Sequence, residues 1–312
     1  MENSLVEMVN KLKEQIRKYF VGKEQIVDNL LICFLAGGHV LLEDVPGVGK
    51  TTLASTLARS VECDFGRIQF TPDTLPTDVM GTEIYNMKTG EFEYRKGAVM
   101  HQIILADEIN RTSPKVQSAL LEAMSEGQTT VGGVKYDLPK PFMVIATQNP
   151  VEFMGTYPLP EAQMDRFMMR LSIGYPTAEE ELRMAANMLS GEDVKSVQSI
   201  ISASDVLDMQ NKVTQVVVKP EIQKYAYDIV EGTRHDANFV LGASPRALLA
   251  LLKASQAKAF IEGRDFVKPD DIKSLAYAVL GHRIVLTSEA KFAQADVKKL
   301  LDGIVVAVKV PH

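Results

Sequence analysis

The sequence contains no tryptophan and only two cysteines, Cys33 and Cys63, in 312 residues. The two cysteines form no CxxC pair, which argues against a disulfide framework and a zinc site, and places both as small core residues in a reducing cytosol. No stretch approaches the ~18 consecutive apolar residues of a transmembrane helix. The opening MENSLVEMVNKLKEQ is charged from its first turns and has no apolar h-region, so no secretory leader is expected. Positive charge is not in excess either. The net charge of -6 argues against fold-wide nucleic-acid binding. His39, His101, His235, His282 and His312 show no ligand spacing, so none is assigned a metal or catalytic role. Internal repeats and low-complexity tracts are lacking as well.

What is present is ordinary globular chemistry, 46% hydrophobic and 24% charged, in a chain long enough for two domains. Up to about Ile173, short apolar runs alternate with glycine-rich turns and helical patterns, the signature of a parallel α/β sheet. Four runs read as buried strands: His39–Glu43, Arg67–Phe70, Gln102–Ala106 and Phe142–Thr147. Their C-terminal ends should gather on one sheet edge, where such sheets place ligands. From Thr177 the pattern becomes helical. Thr177 with Glu180 forms a capping box, Pro220 and Pro269 open helices, and Ser244-Pro245 opens a long one. The reading is an α/β core over 1–175 and a smaller all-helical domain over 176–312, joined near Tyr175-Pro176.

Between the first strand and a helical pattern lies Glu43-Asp44-Val45-Pro46-Gly47-Val48-Gly49-Lys50-Thr51-Thr52. Gly47 and Gly49 let successive backbone N–H groups turn inward and cradle a phosphate, with Pro46, Val48 and Thr52 completing the loop. Lys50 would reach the β- and γ-phosphates of ATP, and the Thr51 hydroxyl would ligate Mg²⁺. The general pattern G-x-x-x-x-G-K-[ST] has glycine where Asp44 stands. That position begins the loop without touching phosphate, so an aspartate is tolerable where its local geometry allows.

Hydrolysis also needs a held metal and a carboxylate to orient water. The apolar run ending in Asp107-Glu108 offers both: Asp107 for magnesium through its water shell, Glu108 to polarise the attacking water. The run ending in Gln148-Asn149-Pro150 should lie beside it and aim Asn149 at the γ-phosphate or its water.

These residues resemble a family. DEINR at 107–111, TSPKVQSALLEAM at 112–124, ATQNP at 146–150 and GTYPLPEAQMDRF at 155–167 closely resemble the MoxR family of AAA+ ATPases. TPDTLPTDVMG at 71–81 fits it too, as does LLEDVPGVGKT with its aspartate. The resemblance implies a P-loop αβα core with a helical lid, in a ring-forming ATPase, usually a hexamer, with nucleotide between subunits. Val21-Gly22 matches the segment beside the adenine. Asp165-Arg166-Phe167 matches the arginine-finger position, with Arg170, one turn later on the same helix, and Arg111 as alternatives. Gly242-Ala243-Ser244-Pro245-Arg246 matches the sensor-2 motif and assigns Arg246 an ATP contact. The implied function is remodelling or maturation of a protein client, with a von Willebrand factor A domain protein as partner.

Two other readings use the same ATPase core. One is a nucleic-acid motor, disfavoured by the lack of a basic stripe and of stacking aromatics. The other is a nucleotide-gated scaffold with little turnover. Thr77–Gly97 and Gly127–Pro139 carry alternating residues around glycine turns and read as hairpin inserts.

Overall fold

A computed structural model describes residues 2–45, 47–149, 156–189 and 194–311. The chain enters through α1 (Glu2–Tyr19) and α2 (Glu24–Leu35), then β1 (Val40–Glu43), α3 (Lys50–Ser60) and β2 (Phe65–Gln69). A short α4 (Pro76–Met80) leads into the hairpin β3 (Gly81–Asn86) and β4 (Glu91–Lys96). Next come β5 (Ile103–Asp107), α5 (Pro114–Glu126), the hairpin β6 (Gln128–Val131) and β7 (Val134–Asp137), and β8 (Met143–Gln148). The core ends with α6 (Glu161–Met164) and β9 (Met169–Leu171).

Strands β2-β5-β8-β1-β9 form one sheet in that order, every pairing parallel. The four expected strands are all there, shifted at their ends by one or two residues. Their apolar runs are continuous because both faces are covered. Side chains alternate between the two layers with the two-residue strand period. Ile103, Leu105, Met143 and Ile145 join the cluster under α1, α2 and α3, whereas Ile104, Ala106, Val144 and Ala146 join the one under α4 and α5.

The fifth strand, β9, corrects one expectation. Arg170 does not follow Arg166 by a helical turn: α6 stops at Met164, Arg166 lies in the turn after it, and Arg170 sits on β9 beside Leu41 of β1. Three residues are too few to display a strand period, and pairing with β1 decides the conformation.

After β9 comes the lid: α7 (Ala178–Leu189), α8 (Ala203–Val213), α9 (Pro220–His235), β10 (Phe239–Leu241), α10 (Pro245–Ile261) and α11 (Pro269–Leu280). It closes with β11 (Val285–Leu286), α12 (Ser288–Phe292) and α13 (Val297–Ala307). The helix starts fall where capping chemistry put them. Thr177 and Glu180 exchange backbone N–H bonds ahead of α7, and the Ser244 hydroxyl accepts from the Ala247 N–H at 3.2 Å. One addition to the helical pattern is the antiparallel ribbon of β10 and β11. The apolar cluster under α1–α3 continues into the lid through Tyr225, Ile229, Leu251 and Ala254.

Both inserts are antiparallel hairpins. They are tied together by Tyr94 stacked on Tyr136, ring centroids 4.1 Å apart. Tyr85, Met87 and Phe92 of the first hairpin face outward. Cys33 and Cys63 are free thiols, both buried. Among the described residues, no helix is long and apolar enough to cross a membrane.

Candidate active site

The parallel sheet brings the C-terminal ends of β1, β5 and β8 side by side. Asp44 therefore leaves one strand, Asp107 and Glu108 the second, and Asn149 the third. The Asp44 N–H still bonds to the Gln148 carbonyl at 3.2 Å, extending the ladder past the last strand residue.

The loop after β1 turns through Gly47 at φ +87 and Gly49 at φ +89, left-handed values that L side chains rarely adopt. Gly49 caps α3, whose N-terminal N–H groups have no intrahelical acceptor and suit an anion. Val48 is buried, Thr52 half-buried and Thr51 exposed at the loop's outer side. Pro46 lies outside the described residues. Lys50 is buried, and its ammonium donates to the Asp44 carbonyl at 2.8 Å. Burial pulls its pKa below the ordinary lysine value, opposed by the negative charges of Asp107, Asp44 and Glu108. A desolvated lysine amid three negative charges, its ammonium resting on a backbone carbonyl, can exchange that carbonyl for phosphate oxygens.

The carboxylate pair sits in a network of Arg111 and three side chains that sequence reading did not single out, Arg67, Gln69 and Thr147. The Thr147 hydroxyl donates to Asp107 Oδ1 at 2.6 Å and accepts from the Glu108 N–H at 2.9 Å. Arg67 Nη2 lies 2.7 Å from Asp107 Oδ2. Gln69 Nε2 donates to Glu108 Oε2 at 2.8 Å, and Arg111 Nε lies 3.4 Å from the same oxygen. Glu108 itself is in the left-handed region, φ +57, where a non-glycine residue is strained and must be held by its surroundings. The visible signals were polar residues inside apolar runs: Arg67 and Gln69 flanking Ile68, and Thr147 next to Ala146.

The loop also borders a cavity of about 320 Å³ between the end of α1 and the lid helix α7. Phe20, Val21, Gly49, Thr52, Met184 and Met188 are among its walls. An apolar slot of this size beside a phosphate cradle suits a nucleobase. Val21 lines this cavity. Gly22 is not one of the lining residues; a Cβ there would strike the Phe20 ring at 2.8 Å, so its role is to let the chain turn over that ring. Met184, Asn187 and Met188 come from a helix whose part in the site had no sequence signal.

Metal binding fits the donor chemistry. Among the described residues, no group of three or more His, Cys, Asp or Glu side chains could hold a metal alone. The Thr51 hydroxyl and the Asp107 carboxylate are hard oxygen donors, and Mg²⁺ takes one or two of these plus waters and substrate phosphates.

The arginines separate. Arg170 Nη1 pairs with Glu43 at 3.1 Å and its Nη2 points to the Gly281 carbonyl at 3.5 Å, so its guanidinium is engaged within the chain. Arg111 lies beside its own Glu108. The half-buried Arg166 has no side-chain hydrogen bond or ion pair among the described residues. Its neighbour Asp165 does not pair with it. That carboxylate instead meets Arg283 Nε of the lid at 2.6 Å and accepts from the Ser244 hydroxyl at 3.0 Å. Arg246, on the first turn of α10, reaches to 4.0 Å from Asp165 and is 57% exposed. Asp165 thus offsets a cation placed against the helix dipole. Arg283, 4% exposed, was missed, although an arginine after His282 and before Ile284-Val285-Leu286 is an anomaly in an apolar run.

Comparison with known proteins agrees with this geometry. Residues 39–169 match the model of an ATPase family associated with various cellular activities, and residues 231–303 match an AAA lid domain. A Mycobacterium tuberculosis protein named Chaperone MoxR1 is 40% identical over 96% of this chain and 81% of its own length. Protein MoxR of Paracoccus denitrificans is 30% identical over 93% of each chain. A Bacillus subtilis protein named YeaC is 50% identical over 99% of this chain and 97% of its own. A solved crystal structure from Cytophaga hutchinsonii superposes with a TM-score of 0.93 at 42% identity, covering 100% of this chain and 97% of that one. The loop, the carboxylate pair and the lid, together with these similarities over nearly the whole length, show that the chain belongs to the MoxR family of AAA+ ATPases.

Proposed function

We propose that the chain is a magnesium-dependent ATPase that works as a ring, usually of six, and remodels or matures a protein client. The observation that carries this reading is that the phosphate loop after β1 and the Asp107-Glu108 pair at the end of β5 open on the same edge of one parallel sheet, with only β8 between them. Lys50 and the amides of Gly47–Thr52 hold the phosphates, and Val21 contacts the base. Thr51 and Asp107 hold the metal, which neutralises developing phosphate charge. Glu108 takes up a proton from the attacking water, Gln69 and Thr147 fix its position, and Asn149 orients that water.

Arg166 serves the neighbouring subunit. An arginine finger needs a guanidinium not spent on local partners; among the described residues Arg166 has no side-chain partner, while Arg170 is engaged with Glu43. Arg246 contacts the nucleotide from the lid. The client is a protein, consistent with the chaperone name carried by the Mycobacterium tuberculosis relative, and a von Willebrand factor A domain is the partner type that the family resemblance suggests. Two buried free thiols suit a cytoplasmic protein.

Mixing variants tests the shared site. Arg166→Ala and Glu108→Gln should each be inactive alone. Mixed, they should recover part of the turnover, because an intact Glu108 then meets an intact Arg166 across a boundary. No recovery at any mixing ratio removes Arg166 as the intersubunit finger.

A further inference from the structure

Asp44 replaces the first glycine of the general phosphate-loop pattern, and its surroundings show what the replacement does. It is 5% exposed. Its carboxylate accepts three hydrogen bonds, all from the segment just after β9: the Ser172 hydroxyl at 3.2 Å, the Gly174 N–H at 2.9 Å, and the Ile173 N–H. Its backbone carbonyl meanwhile accepts from the Lys50 ammonium at 2.8 Å. One residue therefore touches the phosphate-binding lysine with its main chain and the exit from the core with its side chain.

That exit is the only covalent route from β9 into the lid. Gly174 takes a left-handed φ of +70, Pro176 fixes the next turn, and Thr177 caps α7. Helix α7 carries Met184 and Met188, the lid wall of the cavity beside the phosphate loop. The path from Lys50 to that wall is short and continuous: ammonium, Asp44 carbonyl, Asp44 carboxylate, residues 172–174, α7. A glycine at 44 would leave the Ile173 and Gly174 amides without this acceptor.

We propose that Asp44 is a positioning residue that couples occupancy of the phosphate loop to the setting of the lid. When Lys50 turns to a triphosphate it gives up the Asp44 carbonyl. The backbone at Asp44 readjusts, and the carboxylate transmits the change to the linker, bringing α7 over the base. Without nucleotide, the Lys50–Asp44 bond holds the linker in its resting position. The inference rests on the phosphates engaging Lys50, as under the proposed function.

Amide hydrogen exchange tests it in the full-length protein, with magnesium and the non-hydrolysable analogue AMP-PNP as probe. In the unmodified chain, protection should rise at 47–52 and, with it, at Ile173 and Gly174 by about fivefold or more, the lower end of coupling between linked sites. In Asp44→Gly and in the near-isosteric Asp44→Asn, the protection at 47–52 should remain while the change at Ile173 and Gly174 falls below about twofold. Variants that keep the full linked response overturn the proposal. So does an unmodified chain whose loop is protected while residues 173–174 do not respond, a result that decides the matter even where a variant fails to fold. Failure of AMP-PNP to protect 47–52 would instead refute nucleotide binding at the loop itself.

Discussion

The buried Arg283 of the lid and the partly buried Asp165 of the core form an ion pair, Nε to Oδ1 at 2.6 Å, beside the N-cap serine of the helix that bears Arg246. The guanidinium also donates to the backbone carbonyls of Asp165, Phe167 and Met168. It thereby closes off the chain between α6 and β9, immediately around Arg166. Burial pulls the Arg283 pKa down and the Asp165 carboxylate offsets that pull.

Arg283→Ala should therefore destabilise the protein by about 3–5 kcal/mol, since it strands a carboxylate and several carbonyls in a desolvated site. The urea midpoint, at unchanged slope, measures this. A loss below ~1 kcal/mol would mean that water replaces the arginine without cost.

Gln69→Ala removes a donor from Glu108 without touching the phosphate loop. Turnover should fall by about tenfold, a fraction of what a positioned proton acceptor contributes, with KM for ATP nearly unchanged. A rise in KM with constant kcat would place Gln69 in binding.

Thr147→Val keeps the volume and deletes the hydroxyl that bridges the Glu108 N–H and Asp107 Oδ1. The stranded N–H should cost about 1–3 kcal/mol of stability. Turnover should fall as well, because the strained Glu108 backbone loses its tether. Thermal unfolding and steady-state kinetics on one preparation separate the two effects.

His39 is buried between β8 and α5. Its Nδ1 accepts from the Val144 N–H at 3.0 Å, and its Nε2 lies 3.2 Å from the Met124 carbonyl. Burial lowers its pKa from 6.5 to about 4, and burial likewise holds His282 well below the ordinary value. The neutral His39 ring thus contributes fully above pH 6.5, and its contribution is lost as pH falls toward 4. For His39 alone the loss is about 3 kcal/mol. Unfolding free energy measured across that interval should drop steeply, and His39→Gln should flatten part of the slope.

The legible parts of the molecule were those where one local rule decides the outcome. Apolar runs buried on both faces became β1, β2, β5 and β8, and glycine turns became the two hairpins. Capping residues fixed the starts of α7 and α10. The phosphate loop and Asp107-Glu108 were readable because their chemistry needs those types at that spacing. What stayed hidden depends on partners far along the chain. Asp44 looked like a tolerated departure until residues 172–174 folded onto it. Arg170 took its strand from β1, and its partner Glu43 lies 127 positions earlier. Arg283 and Asp165 meet across 118 positions, beyond any periodicity.

The most direct measurement pairs equilibrium ATP binding with turnover in Glu108→Gln. The side chain keeps its size and its hydrogen-bonding capacity toward Gln69 but cannot take up a proton. Affinity should stay within about threefold of the unmodified protein while turnover drops by 10² or more, roughly the contribution of a general base. Undiminished hydrolysis in that variant would contradict the account.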